Sequence, residues 1–161
     1  MAITGQTWRA FGQPIKRCED PKLITGSATY VDDITLPGMI YLAIVRSPHA
    51  HARIRAIHTD AASRAPGVVA VVTGADLVGA TTGPMPYEFD LGVFQDVRHP
   101  TRQVLATDKI RHVGDPVAAV VAETRSLAED AAALVDVEYE LLPVVIDPEA
   151  ALADGAPLLF E

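Results

Sequence analysis

The sequence predicts an α/β domain of mixed α+β character, and three observations carry that prediction. Apolar, β-branched runs at residues 40–45, 68–72 and 117–122 have the length and composition of strands. Short helix signals lie between strands, so the chain reads as two successive strand–helix–strand units. The length of 161 residues, 49% hydrophobic and 21% charged, suits one folded domain with a core of its own.

Residues 1–38 read as an extended, turn-rich N-terminal arm, because Gly5, Gly12, Pro14, Pro21, Gly26, Pro37 and Gly38 interrupt any helix. The main domain then occupies residues 39–161. The run from Ile40 to Val45 is continuously apolar, which predicts a buried strand, and Arg46-Ser47-Pro48 turns it. Residues 53–58 carry Ile54 and Ile57 among polar neighbours as a shorter strand would. Asp60 is placed to cap a helix through Arg64, stopped by Pro66-Gly67. Residues 68–72 form the next strand, closed by Thr73-Gly74.

Periodicity is lost over a long central loop, about 78–103, where Gly79, Gly83, Pro84, Pro86, Gly92 and Pro100 fall. Loops of that length are functional, disordered or packed against another chain, and Tyr87, Phe89 and Phe94 favour the last. The second unit is sharper. Residues 117–122 are a strand, Ser126 and Glu129 have capping-box spacing for a helix over 127–134, and Val135, Val137, Tyr139 and Leu141 alternate with acids as a half-exposed strand. Pro143 ends it, residues 144–146 supply one more short strand, and Asp147-Pro148 opens a short helix through Leu152.

Composition excludes several function classes. Residues 108–161 hold twelve acidic and three basic residues, which accounts for more than the whole net charge of -8. With no Lys/Arg stripe interleaved with aromatics, nucleic acid is not an expected partner. Cys18 is the single cysteine, so no internal disulfide can form and the chain alone cannot supply the four thiolates of an iron–sulfur cluster. No apolar run approaches membrane-spanning length and residues 1–7 have no leader pattern, which points to the cytoplasm.

His49 and His51 in Arg46-Ser47-Pro48-His49-Ala50-His51-Ala52 could open a metal site, since positions i and i+2 of a strand share a face. Further ligands are needed, and none of His58, His99 and His112 has a spacing that brings it near, so hydrogen-bonded edge histidines are the stronger reading. Asp32-Asp33 and Glu129-Asp130 read as turn and helix-start chemistry rather than acid/base pairs. Gly114 in Val113-Gly114-Asp115-Pro116 reads as a turn before a strand, and the common phosphate-loop, dinucleotide and nucleophile-elbow motifs are absent. Cys18 has Lys16 and Arg17 beside it, but Glu19 and Asp20 oppose any activation of the thiol. The charges of Arg17-Cys18-Glu19-Asp20-Pro21 suggest an arm that pairs with something outside the small core.

Taken in order, Arg17 with Glu19-Asp20-Pro21, Leu23 through Gly26, Tyr30 and Asp33, the 46–52 segment, Pro66-Gly67-Val68, Thr73-Gly74-Ala75-Asp76-Leu77, Val113-Gly114-Asp115-Pro116-Val117-Ala118 and Tyr139-Glu140-Leu141-Leu142-Pro143 resemble one known family. It comprises the molybdenum-binding large subunits of xanthine dehydrogenase, aldehyde oxidase and carbon monoxide dehydrogenase, and the similarity is to their N-terminal α/β-hammerhead domain. The resemblance implies a mixed sheet with two main helices. It further implies a structural, subunit-docking part of an oxidoreductase whose molybdopterin, catalytic glutamate and glycine-rich cofactor loops lie in other domains. Iron–sulfur clusters and FAD would sit on partner domains or subunits. No catalytic, cofactor-binding or metal residue is therefore assigned to this chain. The alternative is a stand-alone module that binds a ligand or protein through the 78–103 loop.

Overall fold

The computed structural model describes Gly12, residues 14–80, Met85 and residues 100–160. The chain folds as two units, Met1–Gly38 and Met39–Glu161. Most of the expected central loop, including Tyr87, Phe89, Phe94 and His99, lies outside the described residues.

In the first unit a short helix α1 spans Asp20–Ile24, followed by a 3₁₀ turn at Val31–Asp33. The expectation that proline and glycine exclude helix here is corrected: Pro21 stands in the first turn, where a missing N–H costs nothing and a fixed φ helps. Arg17 closes on the same turn, its Nε donating to Asp20 Oδ1 at 3.0 Å and its backbone N–H to Oδ2 at 3.1 Å. The arginine's charge is thus met locally. Asp33 Oδ2 likewise accepts the Tyr30 N–H at 2.8 Å, which is the turn role expected of that carboxylate.

The second unit contains β1 (Tyr41–Arg46), β2 (Ala52–His58), α2 (Asp60–Ser63), β3 (Val68–Thr73), α3 (Gly74–Leu77), β4 (Lys109–Ile110), β5 (Pro116–Ala122), α4 (Arg125–Ala132) and β6 (Asp136–Leu141), with a second 3₁₀ turn at Ala150–Leu152. The expected α/β composition is present, but the strands make two antiparallel three-stranded sheets rather than one mixed sheet, ordered β1-β5-β3 and β4-β2-β6. Each strand–helix–strand unit crosses from one sheet to the other: β2 and β6 lie in the second sheet, β3 and β5 in the first. A short helix between strands therefore joins layers here.

Pairing register defines the two faces of the β1-β5-β3 sheet. Val120 lies opposite Ala43 and Val71, and Val120, Ala118 and Ala122 are fully buried on the face that α4 covers with Ala128 and Ala131. On the other face Val117 joins Ala52, Ala106 and Ile110 in the core between the sheets, with Ile54, Ile57, Val137 and Tyr139 packed around them. Farther along that face the rows Leu42–Val121–Ala70 and Ile44–Ala119–Val72 leave the inter-sheet core. Leu42 is 62% exposed, so β1 is open on one side and not the buried strand its apolar run predicts. Continuous hydrophobicity marks two faces that want cover; it does not say that one molecule covers both.

Ile54 and Ile57 are three residues apart, a spacing that would place them on opposite faces of a regular strand. A register shift between Ile54 and Ala56 adds one residue to β2 and brings both to the core. The charged partners then share the outer face, where Arg55 pairs with Glu140 and His58 with Glu138.

Helix boundaries differ from the expected ones. α4 begins at Arg125, two residues before the expected start, because Thr124 is its cap and accepts the Leu127 N–H at 3.3 Å. Ser126 is inside the helix, and Glu129 and Asp130 fall in its second turn. Thr59, not Asp60, precedes α2, and Asp60 is its first residue. Residues 144–146 form no strand, with Ile146 93% exposed, and Asp147 opens a 3₁₀ turn by accepting the Glu149 and Ala150 N–H groups. We expect Thr124→Ala to lower stability by about 1 kcal/mol, the usual value of a lost cap, read from the urea midpoint at unchanged slope. Ser126→Ala should leave the midpoint nearly unmoved, and the reverse order would restore the cap to Ser126.

Candidate docking site at the 46–52 and 113–116 turns

The two turns that the sequence singled out separately meet in space. Arg46 Nη1 donates to Gly114 O at 2.9 Å, the Gly114 N–H donates to Ser47 O at 2.8 Å, and the Ser47 N–H donates to Asp115 O at 2.9 Å. Gly114 has φ +86°, a conformation in which a side chain would be strained, and this lets its N–H and carbonyl both face the 46–52 turn. Asp115 Oδ2 accepts the Arg111 N–H at 2.9 Å and lies 3.7 Å from His112 Nδ1. The Gly-Asp pair is therefore a clamp between segments almost seventy residues apart in the chain, which its turn chemistry alone did not reveal.

His49 and His51 precede β2, so the shared-face argument for a metal pair does not apply. His51 is 5% exposed, and its Nδ1 lies 2.7 Å from Pro143 O. A carbonyl only accepts, so Nδ1 carries the proton and His51 ties the turn to the end of β6. The Leu142 N–H returns to His51 O at 3.0 Å and completes the tie. The His51 Nε2 is buried with no hydrogen-bond partner among the described residues. His49 turns elsewhere, its ring edge-on to Tyr139 at 4.9 Å, and its N–H donates to Ser47 Oγ at 3.0 Å. Tyr139 is held above its ordinary pKa by burial, with Asp115 adding to the shift and a hydrogen bond to Ser47 opposing it.

Among the described residues no three His, Cys, Asp or Glu side chains converge as a metal-binding set, and Cys18 is an exposed free thiol. A cleft of about 600 Å³ opens beside the clamp, lined by Met85, Arg102, Val104, Arg111, Asp115 and Phe160 among others.

Lys109 and Arg111 were not singled out by the sequence, yet both are structural keys. Lys109 is 4% exposed with its Nζ on Leu158 O at 3.2 Å, and Arg111 Nε donates to Leu159 O at 2.9 Å. The available signal was charge: two of the three basic residues in the acidic half of the chain sit in this three-residue stretch.

At the far end of β2, His58 Nε2 lies 3.0 Å from Glu138 Oε1. That hydrogen bond is the largest influence and raises the His58 pKa, desolvation comes next and opposes it, and the charges of Glu138, Asp136 and Asp60 add to the rise. Because the folded value lies above the unfolded one, the pair's stabilisation is fully present below the unfolded pKa and is lost as pH rises through the folded pKa. NMR titration should show His58 above its ordinary value and Glu138→Gln should lower it. No change on that substitution would assign the shift elsewhere.

Residues 25–143 match the family described as "Aldehyde oxidase and xanthine dehydrogenase, a/b hammerhead domain". The chain belongs to this hammerhead family. It is 45% identical over 156 residues to the 6-hydroxypseudooxynicotine dehydrogenase complex subunit gamma of Paenarthrobacter nicotinovorans, covering 95% of this chain and 19% of that protein. It is 44% identical over 146 residues to the carbon monoxide dehydrogenase large chain of Afipia carboxidovorans, covering 91% and 17%. Among solved structures, the reconstituted CO dehydrogenase from Oligotropha carboxidovorans superposes with a TM-score of 0.78 at 44% identity over 91% of this chain and 17% of that one.

The chain thus corresponds to the hammerhead portion of these large subunits and spans less than a fifth of their length. The remaining four-fifths, where the catalytic domains of a large subunit lie, have no counterpart in these 161 residues. The hammerhead motifs now have physical content. Arg46-Ser47-Pro48-His49 and Val113-Gly114-Asp115-Pro116 are the two halves of one clamp, and in Thr73-Gly74-Ala75-Asp76 the Asp76 carboxylate accepts the Thr73 N–H at 2.8 Å and hydroxyl at 2.7 Å. Those two bonds, the hydroxyl first, lower the Asp76 pKa.

Proposed function

We propose that this chain is the hammerhead scaffold of a molybdenum hydroxylase large subunit, with a structural and docking role. The observation that carries this reading is the open face of the β1-β5-β3 sheet. On the side opposite the face that α4 covers, Leu42 is 62% exposed, and Ile44, Val72 and Val121 beside it in the sheet are half-buried. The outer face of the other sheet is instead a lattice of charges, Arg55 with Glu140 and His58 with Glu138, suited to water. An apolar sheet face beside a charged one marks the side that another body covers.

In this reading residues 1–38 serve as an arm and residues 39–161 as the hammerhead domain. No catalytic, cofactor-binding or metal residue is assigned to the chain. The molybdopterin cofactor is held by the remainder of the large subunit, and iron–sulfur clusters and FAD by partner domains or subunits. The names of the relatives, among them a xanthine dehydrogenase molybdenum-binding subunit and a Cu,Mo-CO dehydrogenase, support molybdenum in the complete enzyme. The complete enzyme would oxidise an aldehyde, an N-heterocycle or carbon monoxide in the cytoplasm. Neither nucleic acid nor membrane is a partner in this reading. No described helix is long and apolar enough to cross a membrane.

The test is co-expression with a polypeptide carrying the rest of a large subunit. The chain should copurify with it and with molybdenum, and Leu42→Asp should weaken copurification at least tenfold while Glu140→Gln, on the charged sheet, leaves it unchanged. Equal retention of Leu42→Asp would remove the apolar face from the interface. Turnover of an aldehyde, a purine or carbon monoxide by the purified chain alone would overturn the scaffold reading.

A further inference from the structure

Residues 142–160 leave β6 at one edge of the β4-β2-β6 sheet and end beside β4 at the other edge. They are held at both ends. At the first, the Leu142 N–H donates to His51 O and His51 Nδ1 to Pro143 O. At the second, Lys109 Nζ and Arg111 Nε donate to the carbonyls of Leu158 and Leu159, and the Arg111 guanidinium lies 4.8 Å from the centre of the Phe160 ring. Between these ends Ile146 is 93% and Leu152 87% exposed, and the segment bonds locally, through the Asp147 carboxylate and the turn that follows it.

We propose that residues 142–160 are a strap and that Arg111 is the latch that closes it along the β4 edge. The chemistry turns on two carbonyls that cannot bond each other. Arg111 Nη1 donates to Lys109 O at 3.0 Å while its Nε donates to Leu159 O, so one guanidinium bridges the carbonyl of the strand to the carbonyl of the strap. Only a planar fork with several fixed donors does this, and an ammonium on a flexible stem does not reproduce it. Asp108, 3.8 Å from Nη1, adds a compensating charge, and the Phe160 face receives the cation. Leu159 and Phe160 also wall the cleft beside the clamp, so closure of the strap shapes that cleft.

The experiment is ¹⁵N relaxation on the full chain, comparing the parent with Arg111→Ala and Arg111→Lys. In the parent, the amides of Leu158, Leu159 and Phe160 should have order parameters near those of rigid backbone, about 0.85. In Arg111→Ala they should fall below about 0.6, with β5 amide shifts unchanged. Arg111→Lys should also lower them, which keeps the reading available if the alanine variant does not fold. Phe160→Leu, which keeps both carbonyl bonds, should have a smaller effect. Order parameters at 158–160 that are already low in the parent, or that stay high in both Arg111 variants, would overturn the latch. Disturbance spread through β5 would make Arg111 a general stability residue and overturn it equally.

Discussion

Replacing Ile110 by Ala is expected to lower the stability of residues 39–161 by about 3 kcal/mol, within the range for deleting a buried aliphatic side chain and leaving its cavity. Ile110 is fully buried and, with Val117, supplies the bulk of a buried inter-sheet cluster whose other members are Ala52 and Ala106. It sits on β4 but packs with Val117 of the other sheet, so it is one of the few side chains that join the two layers. Small neighbours such as Ala52 and Ala106 cannot grow to fill the space. A urea titration should show the midpoint falling at constant slope. A loss below about 1 kcal/mol would mean that the layers are held by something other than this core.

Gly74→Ala should cost about as much, near 3 kcal/mol, for the opposite reason. A Cβ at this position would stand 2.5 Å from Ala106 O, 2.9 Å from its carbonyl carbon and 3.0 Å from Leu105 O. All three are backbone atoms, and the Ala106 N–H is bonded to Pro116 O at 2.7 Å, so the segment cannot step aside without breaking that bond. Gly114→Ala is the natural comparison, since a Cβ there meets nothing within 4 Å and the cost is conformational alone, about 1 kcal/mol. Thermal unfolding of both variants separates the two effects. Equal losses would show that close approach at Gly74 is not what demands glycine.

Legibility in the sequence followed the range of the interaction. The strand at residues 117–122 is readable from its continuous apolar run, and the strand after it from burial that repeats every second residue in the sequence itself. The start of α4 is ambiguous by two residues because Thr124 and Ser126 are both competent caps, and the choice lies in the Thr124 backbone, which is extended at φ -135° and ψ 159°. Residues 144–146 look like a strand by composition, but no neighbouring edge pairs with them, and an apolar triplet without a partner is only exposed chain. The spacing of Ile54 and Ile57 makes sense only with the extra residue in β2, because a bulge is defined by the opposite strand.

Residue order was enough to establish the composition of the fold, the order of its main strands and, through collinear motifs, the hammerhead family. These rest on local periodicity and on residue identities at fixed spacings, which need no partner to be read. Packing in three dimensions set the rest: the strands divide into two antiparallel sheets, the 46–52 and 113–116 turns are one clamp, His49 and His51 turn to Tyr139 and Pro143 rather than to each other, and one apolar sheet face stays open. The physical reason is that each of these depends on which distant backbone groups and side chains meet. A hydrogen bond or a packed face belongs to two segments at once, and neither segment carries the whole of it.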